Sequence, residues 1–166
     1  MRKLMTVALL GLGLLTLGTD RAQSGETLNE KAVRDLFAAI DRGDVERFRE
    51  LVADDAVLHP LGATEVLSRD AVLGAMKEFY AAFPDNTHVI EQMVAAGDRV
   101  AVMLTARGTS KGPYEGVPPT GQTVTVAAMH IIKFDGGRVH EWWVLEDTLG
   151  FMRQLGMELK ARTPRP

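Results

Sequence analysis

Four histidines and one short acidic segment carry most of the chain's chemical potential. The histidines are His59, His88, His130 and His140, and the segment is "HEWWVLED", His140 to Asp147. Histidine changes charge near neutrality. A carboxylate in a dry pocket rises toward the same range. Together they suit proton transfer beside a carbonyl, which needs a base for the C–H proton and a donor for the oxygen that takes the charge. Metal chemistry is not expected, because no HxH or HxxxH spacing occurs and the chain has no cysteine. No nucleophile elbow or phosphate loop is present.

His130 is the leading candidate. It lies in "VTVAAMHIIKF", where alternate positions are Val126, Ala128, Ile132 and Phe134, so it shares an apolar strand face. Such a histidine is either a satisfied core group or a pocket group, and the small Ala127 and Ala128 before it leave room for a ligand. Glu146 and Asp147 are the carboxylates that could serve it. Asp147 has a second reading as the N-cap of the helix that follows. The "DGG" turn joins the two strands as a hairpin, which sets residues near 130 opposite 142 to 144. Glu146 and Asp147 then fall beyond His130, within diagonal reach. His59, Tyr80, Tyr114 and Trp142 complete the set as candidate substrate-binding residues. His88, on an edge-like strand after "FPDN", reads as exposed, and His140 is open to either role.

These residues must be positioned by an α+β arrangement. Val33, Leu36, Phe37 and Ile40 form a helical stripe, with Asn29 as its cap and Gly43 as its stop. Asp44 caps a second helix and Ser68 a third, the latter carrying Val72, Leu73, Met76, Phe79, Tyr80 and Phe83 along one side. "DAVLHP" (55–60) reads as a strand. Runs at 87–94, 99–108, 123–134 and 138–146, joined mostly by short turns, predict an antiparallel meander. On the last strand, strict alternation puts Val139, Glu141, Trp143 and Leu145 on one face and His140, Trp142, Val144 and Glu146 on the other. One face is expected against the helices and a pocket, the other against a second subunit. A final helical turn is expected within 149–159. Helices laid on one curved antiparallel sheet leave a hollow between the layers.

The stretches "FYAAFPD", "VAAGDRVAVMLTARGTSKGPYEGVPPTGQTVTV" and "IIKFDGGRVHEWWVLEDTLGFMRQLG" resemble the SnoaL-like polyketide cyclase (ester cyclase) family, within the NTF2-like superfamily. The resemblance covers roughly 27–156, and "GVPPTG" before an alternating strand is its most specific piece. It implies an NTF2-like (cystatin-like) cone with a deep apolar pocket, assembled as a dimer or larger. It also implies ring closure by intramolecular aldol condensation without a cofactor. A polar group at the position of His59 would look into the pocket mouth. The family segment commonly runs glutamate-histidine-tryptophan-aspartate, with a further aspartate three residues on. Trp143 and Asp147 match it; Trp142 stands for the histidine and Val144 for the first aspartate, the one expected to do acid/base work. Two functions therefore stay open: an enzyme using His130 with Asp147 or Glu146, or a binding module that kept the pocket and lost the chemistry.

Composition sets the frame. The chain has 166 residues and a formal charge of −3. It lacks the basic clusters of a nucleic-acid binder. Arg2 and Lys3 precede an uncharged run, Met5 to Leu17, that is too short to span a bilayer. With Ala22-Gln23-Ser24 beyond, residues 1–24 read as an export signal, with Gly18 as a second cleavage point and an uncleaved anchor as the other reading. The expected domains are the signal at 1–24, one SnoaL-like domain at 25–159 and a loose tail at 160–166. The protein is expected in the periplasm or medium as a homodimer, with a small apolar ligand as its partner and no membrane insertion after cleavage.

Overall fold

The computed structural model describes residues 26–158. The expected signal and tail lie outside them. Helix α1 (Leu28–Arg42) buries the expected stripe of Val33, Leu36, Phe37 and Ile40, together with Ala39. Its cap is Thr27 rather than Asn29. The Thr27 side chain accepts from Glu30 N and the Glu30 carboxylate returns to Thr27 N, a reciprocal capping box that leaves Asn29 inside the helix. Gly43 ends α1 at φ 63°, a left-handed conformation that costs glycine nothing. Asp44 then caps α2 (Val45–Leu51), and Ser68 caps α3 (Arg69–Ala82).

Six strands form one sheet in the order β2-β1-β6-β5-β4-β3. They are β1 (Val52–Pro60), β2 (Leu67–Ser68), β3 (Thr87–Ala96), β4 (Arg99–Thr109), β5 (Thr123–Asp135) and β6 (Arg138–Glu146). The meander from β3 to β6 is antiparallel as expected, but β1 lies parallel to β6, so the sheet is mixed. β1 enters straight from α2 and pairs with the distant β6, so no hairpin constrains that pair to run antiparallel, and α3 then carries the chain to the opposite edge at β3. Helix α4 (Thr148–Gln154) closes one end. Among the described residues, no helix is long and apolar enough to cross a membrane.

Of three register shifts among the described strands, two decide where candidate residues face. In β6, Lys133 pairs with Glu141 and Phe134 with Val139, which leaves His140 as the extra residue. Val139 therefore joins Trp142 on the inner face instead of Glu141 and Trp143 on the outer, and it is fully buried. In β1, the register shifts between Val52 and Val57, so Leu58 pairs with Trp142 and His59 with Trp143.

The core lies between α1, α2 and the inner face of the sheet: Val33, Leu36, Phe48, Val100, Val102, Leu104 and Ile132 are all essentially inaccessible. The apolar side of α3 is different. Val72, Met76, Phe79 and Tyr80 are only half buried. Helix α3 roofs a hollow rather than completing a packed core.

Candidate active site

The floor of the hollow is the inner face of β3 to β6. Register puts His88 opposite Ala106, Leu104 opposite Ala128, Ala128 opposite Glu146, and His130 opposite Val144. Two adjoining lobes of about 130 and 310 Å³ share Phe79, His88, Tyr114, His130 and Glu146. Small side chains at Ala106 and Ala128 keep the floor low, as the alanines before His130 suggested. A larger recess of about 450 Å³ lies between α2 and α3, but it holds no histidine. Volume alone does not mark the chemistry.

His130 is 5% exposed. Trp142 Nε1 donates to His130 Nδ1 at 3.0 Å. An indole N–H is a donor only, so Nδ1 must be the unprotonated nitrogen. Burial, with a smaller contribution from His88, pushes the pKa of His130 down to about 3. The ring is neutral at physiological pH, and its proton sits on Nε2. That atom is buried and finds no acceptor among the described residues. The expected role as a base is corrected: with one nitrogen occupied by Trp142 and the other protonated, His130 is a buried, unpaired hydrogen-bond donor on a ring that lines both lobes. Leaving such a donor unpaired costs about 1–3 kcal/mol, which makes it a marker of function.

Trp142 is buried, packs edge-on to Phe37 at 6.0 Å and lines the larger lobe. Besides forming a wall, it sets the tautomer of His130. Val144 lines the same lobe, where the family's aspartate would stand against His130. Glu146 lines both lobes. Burial of its carboxyl raises the pKa, opposed by His88. The residue as a whole still touches solvent. The surrounding protein sets the direction of the shift, and solvent access limits it.

Four expectations change. Asp147 is not in the hollow: its carboxylate caps α4, accepting from Gly150 N at 2.8 Å, the alternative weighed from sequence. His59 faces the outer side, stacked on Trp143 at 5.0 Å and 8°. The β1 register turns Leu58 and Pro60 inward in its place. Tyr80 lines the α2–α3 recess, and its hydroxyl donates to Ile40 O at 2.5 Å. Burial first, and Asp41 second, push the Tyr80 phenol up to about 12; its hydroxyl ties α3 to α1, and it lies outside the lobes that hold His130. His88 is not exposed: it faces the hollow, and Nδ1 lies 2.6 Å from Asp41 Oδ1. Alternation of His88 with Ile90 carried this signal, but the partner Asp41 is 47 residues away and sequence could not supply it.

Tyr114 lines both lobes. Its turn, Glu115 at φ 48° and Gly116 at φ 78°, is closed by reciprocal Tyr114–Val117 backbone bonds. The ring joins Phe79, Phe83 and Phe151 in an aromatic cluster at one end of the hollow. Gly112 anchors this loop. A Cβ there would meet Ala81 O at 2.5 Å, so only glycine lets the loop lie against the end of α3.

Helices packed on one six-stranded sheet form an α+β architecture of the class that the resemblance implied. The family model for SnoaL-like polyketide cyclases matches residues 30–155, and the chain belongs to that family. IdmH from Streptomyces antibioticus, provisionally assigned as a polyketide cyclase, is 33% identical and aligns over 78% of this chain and 99% of its own, with a TM-score of 0.72. AclR from Streptomyces galilaeus, provisionally assigned as a hydroxylase, is 26% identical over 80% and 98%, with a TM-score of 0.73. A provisionally assigned SnoaL-like polyketide cyclase from Jannaschia sp. CCS1 is 25% identical over 86% and 100%, also at 0.73. No curated protein matches the chain.

Proposed function

We propose that the protein performs cofactor-free acid/base chemistry on a small, largely apolar carbonyl compound held between α3 and the sheet. The observation that carries this reading is the His130 Nε2–H, buried and unpaired toward an apolar hollow. A carbonyl oxygen accepts from it, and the bond strengthens as that oxygen becomes an enolate. A donor already in place, on a ring buried from water, stabilises the charge without reorganising. The larger lobe is near the lower size bound of small-molecule sites. Aldol-type cyclisation and isomerisation share this enolate step.

The test uses β-tetralone, a bicyclic ketone whose carbonyl stands one carbon from a fused benzene ring, as a probe in heavy water. Exchange of its α-protons, followed by NMR, is expected to run at least about 10²-fold faster with protein than in buffer. Unchanged exchange with the probe bound would support the second reading, a non-catalytic binding module. Val144, apolar where the family's aspartate stands, favours that alternative.

Two further proposals concern the setting. The outer sheet face carries Val89, Val94, Met103, Met129, Ile131 and Leu145 exposed, beside Trp143, an apolar patch suited to a second copy. A homodimer is expected by light scattering, and a monomer at micromolar concentration would count against it. Export with cleavage near Ser24 rests on the Arg2–Leu17 segment. Intact mass of the protein recovered from periplasm or medium tests it, and Met1 retained on cytoplasmic protein would contradict it.

A further inference from the structure

The family's acid/base position holds Val144, yet the hollow contains another carboxylate-supported group that could exchange a proton. We infer that His88, held by Asp41, is the proton acceptor of this site, so that the base has moved from β6 to β3. The inference rests on the reading of the hollow as a carbonyl site.

Asp41 is next to last in α1, and both of its oxygens are directed to one residue: Oδ2 accepts from His88 N at 3.1 Å and Oδ1 faces Nδ1 at 2.6 Å. An ionised carboxylate only accepts, so Nδ1 carries a proton in either charge state of the ring. Proton exchange is thereby confined to Nε2. That nitrogen makes no hydrogen bond among the described residues, and the ring lines both lobes with His130 and Glu146. The side chain is 14% exposed, so it is sheltered from solvent without being sealed. Phe37 spaces the two histidines, its ring 5.3 Å from His88 and 5.5 Å from His130. This arrangement gives the histidines opposite duties. Nδ1 of His130 is capped by a donor, which leaves a donor at Nε2. Nδ1 of His88 is capped by an acceptor, which leaves an acceptor at Nε2 when the ring is neutral.

The step balances without a co-reactant. The lone pair on His88 Nε2 takes the proton from the carbon beside the carbonyl, and the C–H electron pair forms the enolate. The enolate oxygen is held by His130 Nε2–H, and the new imidazolium is paired with the Asp41 carboxylate. When the enolate carbon is reprotonated, or attacks a second carbonyl to form a C–C bond and an alkoxide, His88 Nε2 returns the proton. Asp41 touches no substrate and acts as a positioning residue.

The experiment is α-proton exchange of β-tetralone by the purified full-length protein and its variants, with probe binding followed by quenching of tryptophan fluorescence. His88→Ala is expected to lower exchange by about 10²–10⁴-fold while leaving probe binding little changed. Millimolar imidazole should restore it by about tenfold or more, since a free base can enter the space left by the ring. A purely structural tie between α1 and β3 would not respond to imidazole. His88→Asn retains an N–H toward Asp41, so it keeps that tie and should still be as slow as His88→Ala. Asp41→Asn should lie between those variants and wild type. Exchange by His88→Ala or His88→Asn within about threefold of wild type overturns the dyad and leaves the carbonyl site standing. Loss that imidazole does not restore, with the probe still bound, also overturns it. Absence of exchange in the wild type overturns the catalytic reading of the site, and the dyad with it.

Discussion

His130→Leu is expected to slow α-proton exchange by about 10²–10³-fold, the usual cost of deleting one preorganised oxyanion donor. Leucine fills most of the ring's volume and removes the buried, unpartnered Nε2–H. It also strips Trp142 Nε1 of its acceptor, so some loss of stability accompanies the kinetic effect, about 1–3 kcal/mol for a buried unpaired donor. Adding Trp142→Phe removes that orphan. The double variant should regain part of the stability while remaining as slow as His130→Leu. Recovery of rate together with stability would show that the single variant was merely loosened. Trp142→Phe alone should be slowed as well, because nothing then holds the proton on Nε2.

The second large effect is on stability in acid. His130 titrates at 6.5 in its unperturbed state and at about 3 in the fold. Its folded pKa is depressed, so the unfolded chain binds the proton first. The stability contributed by keeping this ring neutral is complete above about pH 6.5 and is lost as the pH falls toward 3. For a side chain this buried, the linked loss reaches about 3–5 kcal/mol across the window, a large share of a typical domain's total. Urea midpoints of wild type and His130→Leu, compared from neutral to acid pH, should therefore converge. A constant gap between the two curves would mean that His130 is not held neutral by burial.

Legibility in the sequence followed the range of the interactions. Most local signals hold: the α1 stripe, Gly43, Asp44 and Ser68 are set by the helical period and by backbone groups a few residues away, and each lies as read, whereas the Asn29 cap gives way to Thr27. The hairpin that places His130 opposite Val144 followed from one short turn. Errors began where a single residue shifts a register. The His140 bulge sent Val139 inward, because period-2 reasoning cannot see an inserted residue; the β1 irregularity turned outward the His59 that the resemblance had placed at the pocket mouth. The candidate site suffered from a second limit. Asp41 and His88 belong to different elements, and only packing of α1 on β3 brings them together. Tyr80 was misplaced because a half-apolar helix such as α3 presents two usable sides, one to the hollow and one to α2. The role of His130 depended on Trp142 as its hydrogen-bond partner, and both residues were in view. Their facing positions on paired strands were readable, but the direction of the indole N–H was not.

The central claim is that His130 stands neutral in the hollow with its proton on Nε2, and ¹⁵N NMR of the histidine ring tests it most directly. The account predicts a protonated Nε2 and an unprotonated Nδ1 at neutral pH, no imidazolium until the pH approaches about 3, and a shift of the Nε2–H signal on addition of β-tetralone. An imidazolium at neutral pH, or a proton on Nδ1, would contradict it.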